Sequence, residues 1–546
     1  MEAERKVMKV AFATVCLLLA CVSAEAQQRM VKVRLFWQHP PEKILVEPVG
    51  ATWQGKAMRA PVEVSGASAS SFTLSGAARI SGAGFPAFVT RDEMKVESRQ
   101  GVLLLTLTMP LEDYVTAVLQ GESGGFKSDE ALKSMAVAAR TYAMRFGSRH
   151  KLEGFDFCDT THCQDVRLGN ESARMRAAVS ATEGELLWFE GRPAATYYHR
   201  SCGGELEDAS ALEPTLRAPY LRRHQDDYCS RTDEWRAEIA KADLARALGR
   251  PVNTLSVAER TGSGRTAKVL VNGRPMSAVD FRLGIGRALG WDKIRSDLYQ
   301  MEDRGDRIAF RGRGQGHGVG LCQTGADAMG ARGKSYREIL AYYYPGTALG
   351  LNAQGLAWEK LPGASVDVVT TNRNDAATLI PVVERAFSFA QNATPWKVSG
   401  RPQVKVYPTI GIYRDATGEP GWVAASTRGN VIRLQPLSTL QRTGALESTL
   451  RHEFLHMLIE SQARGDSPLW LREGLAIYLS NRATARPAKV DVVALERRLH
   501  SLRTEAEMRA AYRDCASAVA DAVQRYGLPK VLDWVKSGVP TLSATQ

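Results

Sequence analysis

Two histidines four residues apart constrain the C-terminal third of this 546-residue chain more than any other feature. The string HEFLH starts at His452 and ends at His456, so on a helix the two imidazoles lie one turn apart on the same face. They can hold one Zn²⁺, with Glu473 of the segment WLREG as the third ligand. A water would take the fourth position, and Glu453 can accept its proton during attack on a carbonyl. The pattern therefore predicts a zinc peptidase site.

Apolar residues surround both segments at helical spacing, as is typical of packed active-site helices. The segments resemble the gluzincins, in particular the short peptidase MA-like domains, over roughly residues 365–546. The resemblance implies zinc bound by His452, His456 and Glu473, with Glu453 as general base. The elements predicted before the motif follow the order of the N-terminal half of a zincin fold, with a sheet edge bordering the cleft. They are strands at 366–369, 404–407 and 431–434, and a helix from 376 to about 391.

The first 26 residues predict a secretory signal peptide. Basic residues precede an apolar run from Val10 to Val22, and Ala24 and Ala26 supply the small residues of a cleavage site. The run is shorter than the roughly 20 residues that a membrane span needs. The string LLAC, which ends at Cys21, also fits a lipobox and predicts a lipoprotein instead. Either alternative predicts export to the periplasm or cell envelope, where disulfides are permitted.

Composition and charge indicate how many domains the chain can form and which class of partner it can bind. With 44% hydrophobic residues, the chain can form at least two domains with cores of their own. Six cysteines follow the predicted signal, too few for a disulfide scaffold at this length. The net charge of +12, without interleaved aromatic and basic residues, favours an anionic envelope polymer and predicts no nucleic-acid partner.

The front of the chain shows two kinds of pattern. Short alternating apolar runs from 30 to 110, separated by Gly, Ser and Pro, predict a β-rich portion. A helical pattern then begins at Leu111, breaks at Gly121 and resumes at Glu130.

Five motifs follow in order from this break. The first, LEDYVTAVLQGE, ends at Glu122 and precedes EALKSMAVAARTYA. The others are CDTTHCQ at 158–164, TYYHRSCGG at 196–204, GRGQGHGVGLCQTGADAMG at 312–330 and YREILAYYYPGT at 336–347. Together they resemble the stage II sporulation protein D family (SpoIID/LytB) over roughly residues 31–350.

This resemblance implies a lytic transglycosylase that cleaves between N-acetylmuramic acid and N-acetylglucosamine in peptidoglycan, with stripped glycan strands preferred. Glu122 matches the catalytic acid of the family. When protonated, its carboxyl donates to the glycosidic oxygen; when ionised, it accepts the muramyl 6-hydroxyl proton as a 1,6-anhydro ring closes. No second carboxylate is needed, unlike in paired-carboxylate hydrolases. The reaction requires a raised pKa for Glu122, which a partly apolar pocket can provide.

Four further residues of the motifs are candidates for saccharide binding: Arg140, Tyr197, His317 and Gln323. Packing is the alternative for Arg140 and Tyr197. His317, between two glycines, can hydrogen bond to a sugar or hold a tight turn. Gln323 resembles a family residue of the groove. Cys322 takes a place where serine is expected in many relatives, which predicts a weakened polar contact.

Cys158, His162 and Cys163 form a compact cluster of metal-ligand residue types. Some members of the family hold zinc in this region, so a second, structural zinc is implied. His150 and His199 are the candidates for a fourth ligand.

Export leaves disulfides open as an alternative to this zinc. The alternative is a disulfide that joins Cys158 to Cys163, or one that joins Cys202 to Cys229.

The sequence thus predicts a multidomain α+β chain: a signal peptide at 1–26, a SpoIID-like mixed α/β domain at 30–350, a linker at 351–365 and a zincin-like domain at 366–546. The main hypothesis is a peptidoglycan remodeller with two enzyme sites and an unknown peptide or protein substrate. In a second, suggested by the amidase-enhancer branch of the family, the front domain binds glycan or activates an amidase partner without catalysis. In a third, the zinc site is degenerate.

Overall fold

The computed structural model describes residues 29–67, 71–147, 149–169, 172–229, 233–463, 467–480, 486–500, 502 and 504–540. The predicted signal peptide and the lipoprotein site at Cys21 lie outside these residues. The chain divides into a front unit, Met30–Ala357, and a rear unit that holds Trp358 and the residues after it. Both units mix helices and strands, as expected of a multidomain α/β chain. No helix in the described ranges is long and apolar enough to cross a membrane.

The front unit begins with the β-rich portion that the alternating sequence predicts. In the strand Glu93–Arg99, Met94 and Val96 are buried while Glu93 and Lys95 are exposed, because successive side chains point to opposite faces. The strands are β1 (Met30–Leu35), β2 (Lys43–Pro48), β3 (Thr52–Trp53), β4 (Lys56–Ala57), β5 (Val62–Ser65), β6 (Phe72–Ser75), β7 (Ala78–Gly82), β8 (Phe85–Thr90), β9 (Glu93–Arg99), β10 (Val102–Pro110) and β11 (Phe157–Cys158).

These strands form a seven-stranded sheet, in the order β11-β1-β10-β9-β6-β3-β4, and a four-stranded sheet, β5-β2-β7-β8. β1 and β10 are antiparallel, with Val33 opposite Leu107. β11 adds parallel to β1 and sets Cys158 opposite Arg34. The segment that carries the CDTTHCQ motif is therefore held at the edge of the larger sheet.

Helices cover the motif region of the front unit. They are α1 (Leu111–Glu122), α2 (Asp129–Phe146), α3 (Ala173–Ala181), α4 (Lys241–Leu248), α5 (Ala278–Leu289), α6 (Gln323–Ala331) and α7 (Tyr336–Tyr343). Ser128 caps α2 by accepting the N–H of Ala131. Small residues keep α2 thin and nearly all of its middle is buried, so α1, α3, α6 and α7 all pack on it.

Short strands complete the front unit. They are β12 (Leu186–Phe189), β13 (Arg192–Pro193), β14 (Tyr198–His199), β15 (Glu234–Ala240), β16 (Leu255–Arg260), β17 (Thr266–Val271), β18 (Arg274–Ser277), β19 (Tyr299–Asp303), β20 (Arg307–Arg313), β21 (Leu321–Cys322) and β22 (Ala348–Gly350). β14 and β21 pair in parallel, with His199 opposite Cys322. Because α6 starts directly after β21, this pairing fixes the position of Gln323.

Residues 233–313 form an insert with a separate core, which the sequence analysis does not predict. It holds α4, α5 and the sheets β15-β20-β19 and β16-β17-β18. Trp235, Phe281 and Phe310 lie in its core. Within the front unit, the insert follows Cys229 and ends where the glycine-rich motif begins.

The rear unit has a five-stranded sheet in the order β23-β24-β25-β27-β26. Its strands are β23 (Glu359–Pro362), β24 (Asp367–Thr370), β25 (Gln403–Val406), β26 (Ala425–Arg428) and β27 (Val431–Leu434). Its helices are α8 (Ala376–Ala393), α9 (Ile410–Thr417), α10 (Leu437–Arg442), α11 (Leu446–Glu460), α12 (Leu469–Ser480), α13 (Val492–Leu499), α14 (Glu505–Tyr526) and α15 (Leu528–Ser537). β26 is an edge strand, antiparallel to β27.

The stretch 351–365, predicted as a linker, contains one strand. β23 lies within it and pairs with β24, with Leu361 opposite Val368. The Gly- and Ala-rich composition of the stretch conceals this strand, because Leu361 is its single buried residue. The division between the units, after Ala357, falls inside the predicted linker.

Helix packing in the rear unit depends on one glycine. At Gly474 of α12, a Cβ atom would lie 2.4 Å from the carbonyl oxygen of Cys515 in α14. Only glycine therefore permits this approach of the two helices without a shift, and the approach sets the position of the neighbouring Glu473.

Candidate functional site

Glu122 is the last residue of α1, and its carboxyl receives hydrogen bonds from two distant parts of the chain. The backbone N–H of Asp165 donates to Oε1 at 3.0 Å, and Nε2 of Gln323 donates to Oε2 at 3.4 Å. Gly121 permits the first contact, because a Cβ there would lie 2.2 Å from the carbonyl oxygen of Asp165. The structure thus joins two residues that the sequence analysis names separately, Glu122 and Gln323.

Burial raises the pKa of Glu122 to about 7. The hydrogen bond from Asp165 opposes this shift, the Asp165 carboxylate adds to it, and the Gln323 hydrogen bond and the Arg167 charge oppose it. The C-terminal end of α1 also carries partial negative charge, which disfavours a carboxylate. Protonated and ionised Glu122 are therefore both populated near neutral pH, as a group that first donates and then accepts a proton requires.

A polar chain of three side chains lies near Glu122. Tyr114 donates its hydroxyl proton to Oε1 of Gln164 at 2.8 Å, and Nε2 of Gln164 donates to the Tyr198 hydroxyl at 2.9 Å. Burial raises the pKa of both tyrosines well above its usual value, and the nearby Glu122 charge adds to the shift. All three residues lie within the SpoIID-like motifs, but their spacing in the sequence predicts no role for them.

Cys322 caps α6 and so orients Gln323. Its Sγ accepts the N–H of Gly325 at 3.4 Å and the N–H of Cys202 at 3.3 Å. Cys322 in place of the expected serine predicts a weakened polar contact at this position. In the structure the sulphur keeps the capping contact, at a distance suited to its larger radius.

Arg140 does not lie in a groove. Its guanidinium forms a bidentate ion pair with Glu112, at 2.8 and 2.6 Å, and donates to the carbonyl oxygens of Glu185 and Val179. The residue is 1% exposed. A saccharide cannot reach a side chain so enclosed, so the packing alternative describes Arg140. The arginine instead ties α2 to α1 and to the start of β12.

Tyr197 packs at the edge of the main hydrophobic core of the front unit, and His317 lies beside it. Their rings meet edge to face, with centroids 6.0 Å apart. Tyr197 donates its hydroxyl proton to Glu213 at 2.8 Å. Nδ1 of His317 accepts the N–H of Val319 at 3.0 Å, and burial lowers the pKa of His317 well below its usual value. His317 is thus neutral and holds a turn of its own motif; its contact with a saccharide stays a prediction.

His150 completes the cluster of Cys158, His162 and Cys163. The four donor atoms all lie within 4.8 Å of one another. Nε2 of His150 is 3.3 Å from Sγ of Cys163, and Nδ1 of His162 is 3.7 Å from both sulphurs. Bond lengths of zinc to sulphur and nitrogen place tetrahedral S and N ligands about 3.6 Å apart. His199, the other candidate, instead bonds through Nδ1 to the carbonyl of Val319.

The surroundings of this cluster also fit a metal. Oε1 of Glu153 lies 2.6 Å from Nδ1 of His150, which is the carboxylate–histidine arrangement common around zinc ligands. In the structure Cys158 and Cys163 form no disulfide with each other.

His452 and His456 of α11 and Glu473 of α12 meet at one point in the rear unit. Nε2 of His456 is 3.0 Å from Nε2 of His452 and 3.2 Å from Oε2 of Glu473. Nitrogen ligands of tetrahedral zinc are about 3.3 Å apart. The predicted ligand set is therefore arranged as a zinc site would need, with three protein ligands rather than four.

Two of these three groups, His452 and Glu473, are in the protonation state that binds a cation. Burial lowers the pKa of His452 to about 3, so its imidazole is neutral. Burial opposes charge on both partners of the other pair, yet Glu473 raises the pKa of His456 to about 9 and His456 lowers that of Glu473 to about 2. Glu473 is thus a carboxylate, and a bound metal would displace the proton from His456.

Glu453 turns toward the edge strand β26. The Thr427 hydroxyl donates to its Oε2 at 2.6 Å, and burial raises the pKa of Glu453. The predicted sheet edge beside the cleft corresponds to β26, since Thr427 belongs to this strand.

Tyr512 is a residue that the sequence analysis misses. From α14 its hydroxyl forms a hydrogen bond with Glu473. No spacing relates it to HEFLH, because packing of α14 on α12 brings it there.

Comparison with known proteins identifies the front unit. The family model "SpoIID: Stage II sporulation protein" matches residues 99–189, which include Glu122 and the cluster at 158–163. An uncharacterized protein of Brachyspira hyodysenteriae is 31% identical over 255 residues, covering 45% of this chain and 67% of that protein. The chain belongs to the stage II sporulation protein D family. The match confirms the resemblance that the five motifs indicate.

Two named relatives agree with the assignment to the SpoIID family. Stage II sporulation protein D of Bacillus subtilis is 27% identical over 263 residues, which is 44% of this chain and 74% of the relative. The amidase enhancer of Bacillus subtilis is 25% identical over 291 residues, 42% of this chain and 39% of the enhancer. The SpoIID family match does not reach the histidines of the rear unit.

Proposed function

We propose that this SpoIID family member is an exported protein of the bacterial envelope that remodels peptidoglycan. In this proposal the front unit is a lytic transglycosylase with Glu122 as its catalytic residue. The names of two relatives, a sporulation protein and an amidase enhancer, support a role at the cell wall.

The observation that carries the proposal is the pKa of Glu122, raised to about 7 by burial. Protonated Glu122 donates to the glycosidic oxygen as the bond to C1 of the muramyl sugar breaks. Ionised Glu122 then accepts the proton of the 6-hydroxyl, whose oxygen closes onto C1. The carboxyl ends protonated, so the cycle needs neither a water nor a second carboxylate.

Glu122→Gln keeps the size and the hydrogen-bonding capacity of the side chain and removes its proton chemistry. We expect it to lower release of anhydromuramyl products from stripped glycan strands roughly 100- to 10,000-fold, the usual contribution of a general acid–base group. Mass spectrometry of the digests checks this, with ¹⁸O-labelled water to detect hydrolysis. Full product release by the variant would contradict the role of Glu122; label in the wild-type products would contradict transglycosylation and favour a hydrolase.

The pH dependence of kcat/KM tests the same carboxyl from two directions. Because the acid form starts the reaction, the rate should fall as pH rises through about 7. Gln323→Leu removes a hydrogen bond that lowers the pKa of Glu122, so this alkaline limb should move to higher pH. Asp165→Asn removes a carboxylate that raises the pKa but keeps the backbone N–H, so the limb should move to lower pH. Shifts in the same direction, or none, would refute the assignment of the limb to Glu122.

An amidase-enhancer role is the alternative for the front unit, supported by one relative's name. In that case an amidase partner would be stimulated equally by the wild type and Glu122→Gln. The product analysis above separates this role from catalysis.

We further propose that the rear unit is a zinc metallopeptidase of the gluzincin kind. The arrangement of His452, His456 and Glu473 around one point supports it. A bound Zn²⁺ would activate water and polarise the peptide carbonyl. Glu453, held by Thr427 beside β26, would act as the general base. A peptide could add to the edge of β26 as a further strand.

Two variants separate metal binding from proton transfer in the rear unit. Glu453→Gln should keep its zinc and lose peptide hydrolysis roughly 100-fold or more, because it removes the base and no ligand. His456→Ala should lose one equivalent of zinc together with activity. Metal analysis and a broad panel of peptide substrates check both. A zinc-loaded wild type that cleaves nothing in the panel would contradict the peptidase proposal.

A structural zinc at His150, Cys158, His162 and Cys163 completes the proposal for the front unit. Its four protein ligands leave no open position, as in structural sites. It would hold the segment that presents the N–H of Asp165 to Glu122.

A further inference from the structure

Four buried side chains of metal-ligand type meet at the base of the insert, away from the clusters described above. They are Cys202, Asp226, Cys229 and Cys322, and each residue is 5% exposed or less. Their donor atoms all lie within 4.8 Å of one another. The four residues come from three separate segments of the chain, so the fold itself assembles the group.

The spacing suits a single ion. Two sulphur ligands of one tetrahedral zinc lie about 3.8 Å apart, and every pair of donor atoms in this cluster lies within 4.8 Å. Sγ of Cys202 is 3.3 Å from Oδ2 of Asp226, close to the separation of about 3.6 Å expected between sulphur and oxygen ligands.

The Asp226 carboxylate is oriented toward the sulphurs by its other contacts. Oδ1 accepts the backbone N–H groups of Tyr228 and Cys229, at 3.0 and 3.2 Å. Oδ2, which faces Cys202, also accepts the Tyr343 hydroxyl at 3.0 Å. Ligating carboxylates are commonly fixed by such outer hydrogen bonds.

The Cys322 sulphur has similar support. It accepts the N–H groups of Cys202 and Gly325, and hydrogen bonds of this kind commonly orient metal ligands. Nearby, the guanidinium of Arg265 donates to the carbonyl oxygen of Cys202 at 2.6 Å and is itself 2% exposed. These contacts enclose the four side chains, so an ion bound among them would be shut off from solvent, as in structural sites.

A disulfide between Cys202 and Cys229, which export alone permits, explains less of this arrangement. It would leave Cys322 and the Asp226 carboxylate buried beside a neutral cystine. We propose instead that Cys202, Asp226, Cys229 and Cys322 bind one thiophilic divalent cation, Zn²⁺ or a close analogue, as a structural site with four protein ligands.

Such an ion would act on the geometry of the front unit. Cys229 lies before the insert and Cys322 after it, so the ion ties together the two ends of this subdomain. Cys322 also directly precedes Gln323, which donates to Glu122. The bound ion would therefore fix the position of Gln323 beside Glu122. The site does not depend on either proposed activity.

The test is the zinc content of the full chain, purified without chelator, for the wild type and three variants. Cys229→Ser should lose about one equivalent of zinc. Cys515→Ser, which changes a buried cysteine of the rear unit outside any cluster, should keep the wild-type content. Cys163→Ser should lose a different equivalent, so that Cys163→Ser/Cys229→Ser loses two. Equal zinc in the wild type and folded Cys229→Ser would overturn the proposal.

A second measurement on the wild type guards against a variant that fails to fold. The unreduced protein is denatured with chelator, alkylated and mapped by mass spectrometry. Metal binding predicts that Cys202, Cys229 and Cys322 are all alkylated. A cystine joining any two of them would overturn the proposal in favour of the disulfide.

Cobalt gives a third readout. Co²⁺ exchanged into the wild type should show sulphur-to-cobalt charge-transfer absorption. The loss of this absorption should be larger in Cys163→Ser/Cys229→Ser than in Cys163→Ser alone. Identical spectra for these two variants would also refute the site.

Discussion

The contact between the carboxyl of Glu122 and the backbone of Asp165 is the constraint on which the front unit depends. It requires glycine at 121, since a Cβ atom would collide with the Asp165 carbonyl. It encloses a carboxyl at the negative end of a helix with few compensating groups, and burial then raises its pKa to about 7. Burying an acid of this kind costs stability, and groups with strongly shifted pKa values are concentrated at functional sites.

Two cysteine clusters flank the hydrogen-bond donors of Glu122. Cys163 lies two residues before Asp165, and Cys322 lies one residue before Gln323. If both clusters bind metal as proposed, each donor is anchored at a short distance from a closed four-ligand site. Rigid support of this kind fixes donor positions better than loops alone. This explains why short, glycine-rich segments can form a precise site here.

Sequence patterns predict the parts of this protein that depend on local spacing. The helical repeat places His452 and His456 together, and alternation predicts the β-rich portion up to 110. Ordered motifs name Glu122 and Gln323 separately, and the hydrogen bond between them appears only in the structure.

Long-range packing decides what the patterns leave open. His199 lies opposite Cys322 in the β14–β21 pair and bonds to the Val319 carbonyl, so His150 joins the cysteines instead. Tyr512 reaches Glu473 because α14 packs on α12. Arg140 shows the opposite failure. An arginine within a motif suggests a ligand contact, yet its partner Glu112 lies 28 residues away in sequence and encloses it. Neither the pairing partner of a charge nor its exposure is encoded in local spacing.

The central claim is that burial places the pKa of Glu122 near neutrality, and direct titration tests it. In protein labelled with ¹³C at glutamate carboxyls, NMR spectra across pH should show one resonance that titrates near pH 7 in the wild type and is missing in Glu122→Gln. If the resonance that Glu122→Gln removes titrates instead near the ordinary glutamate value of about 4.3, the account is contradicted.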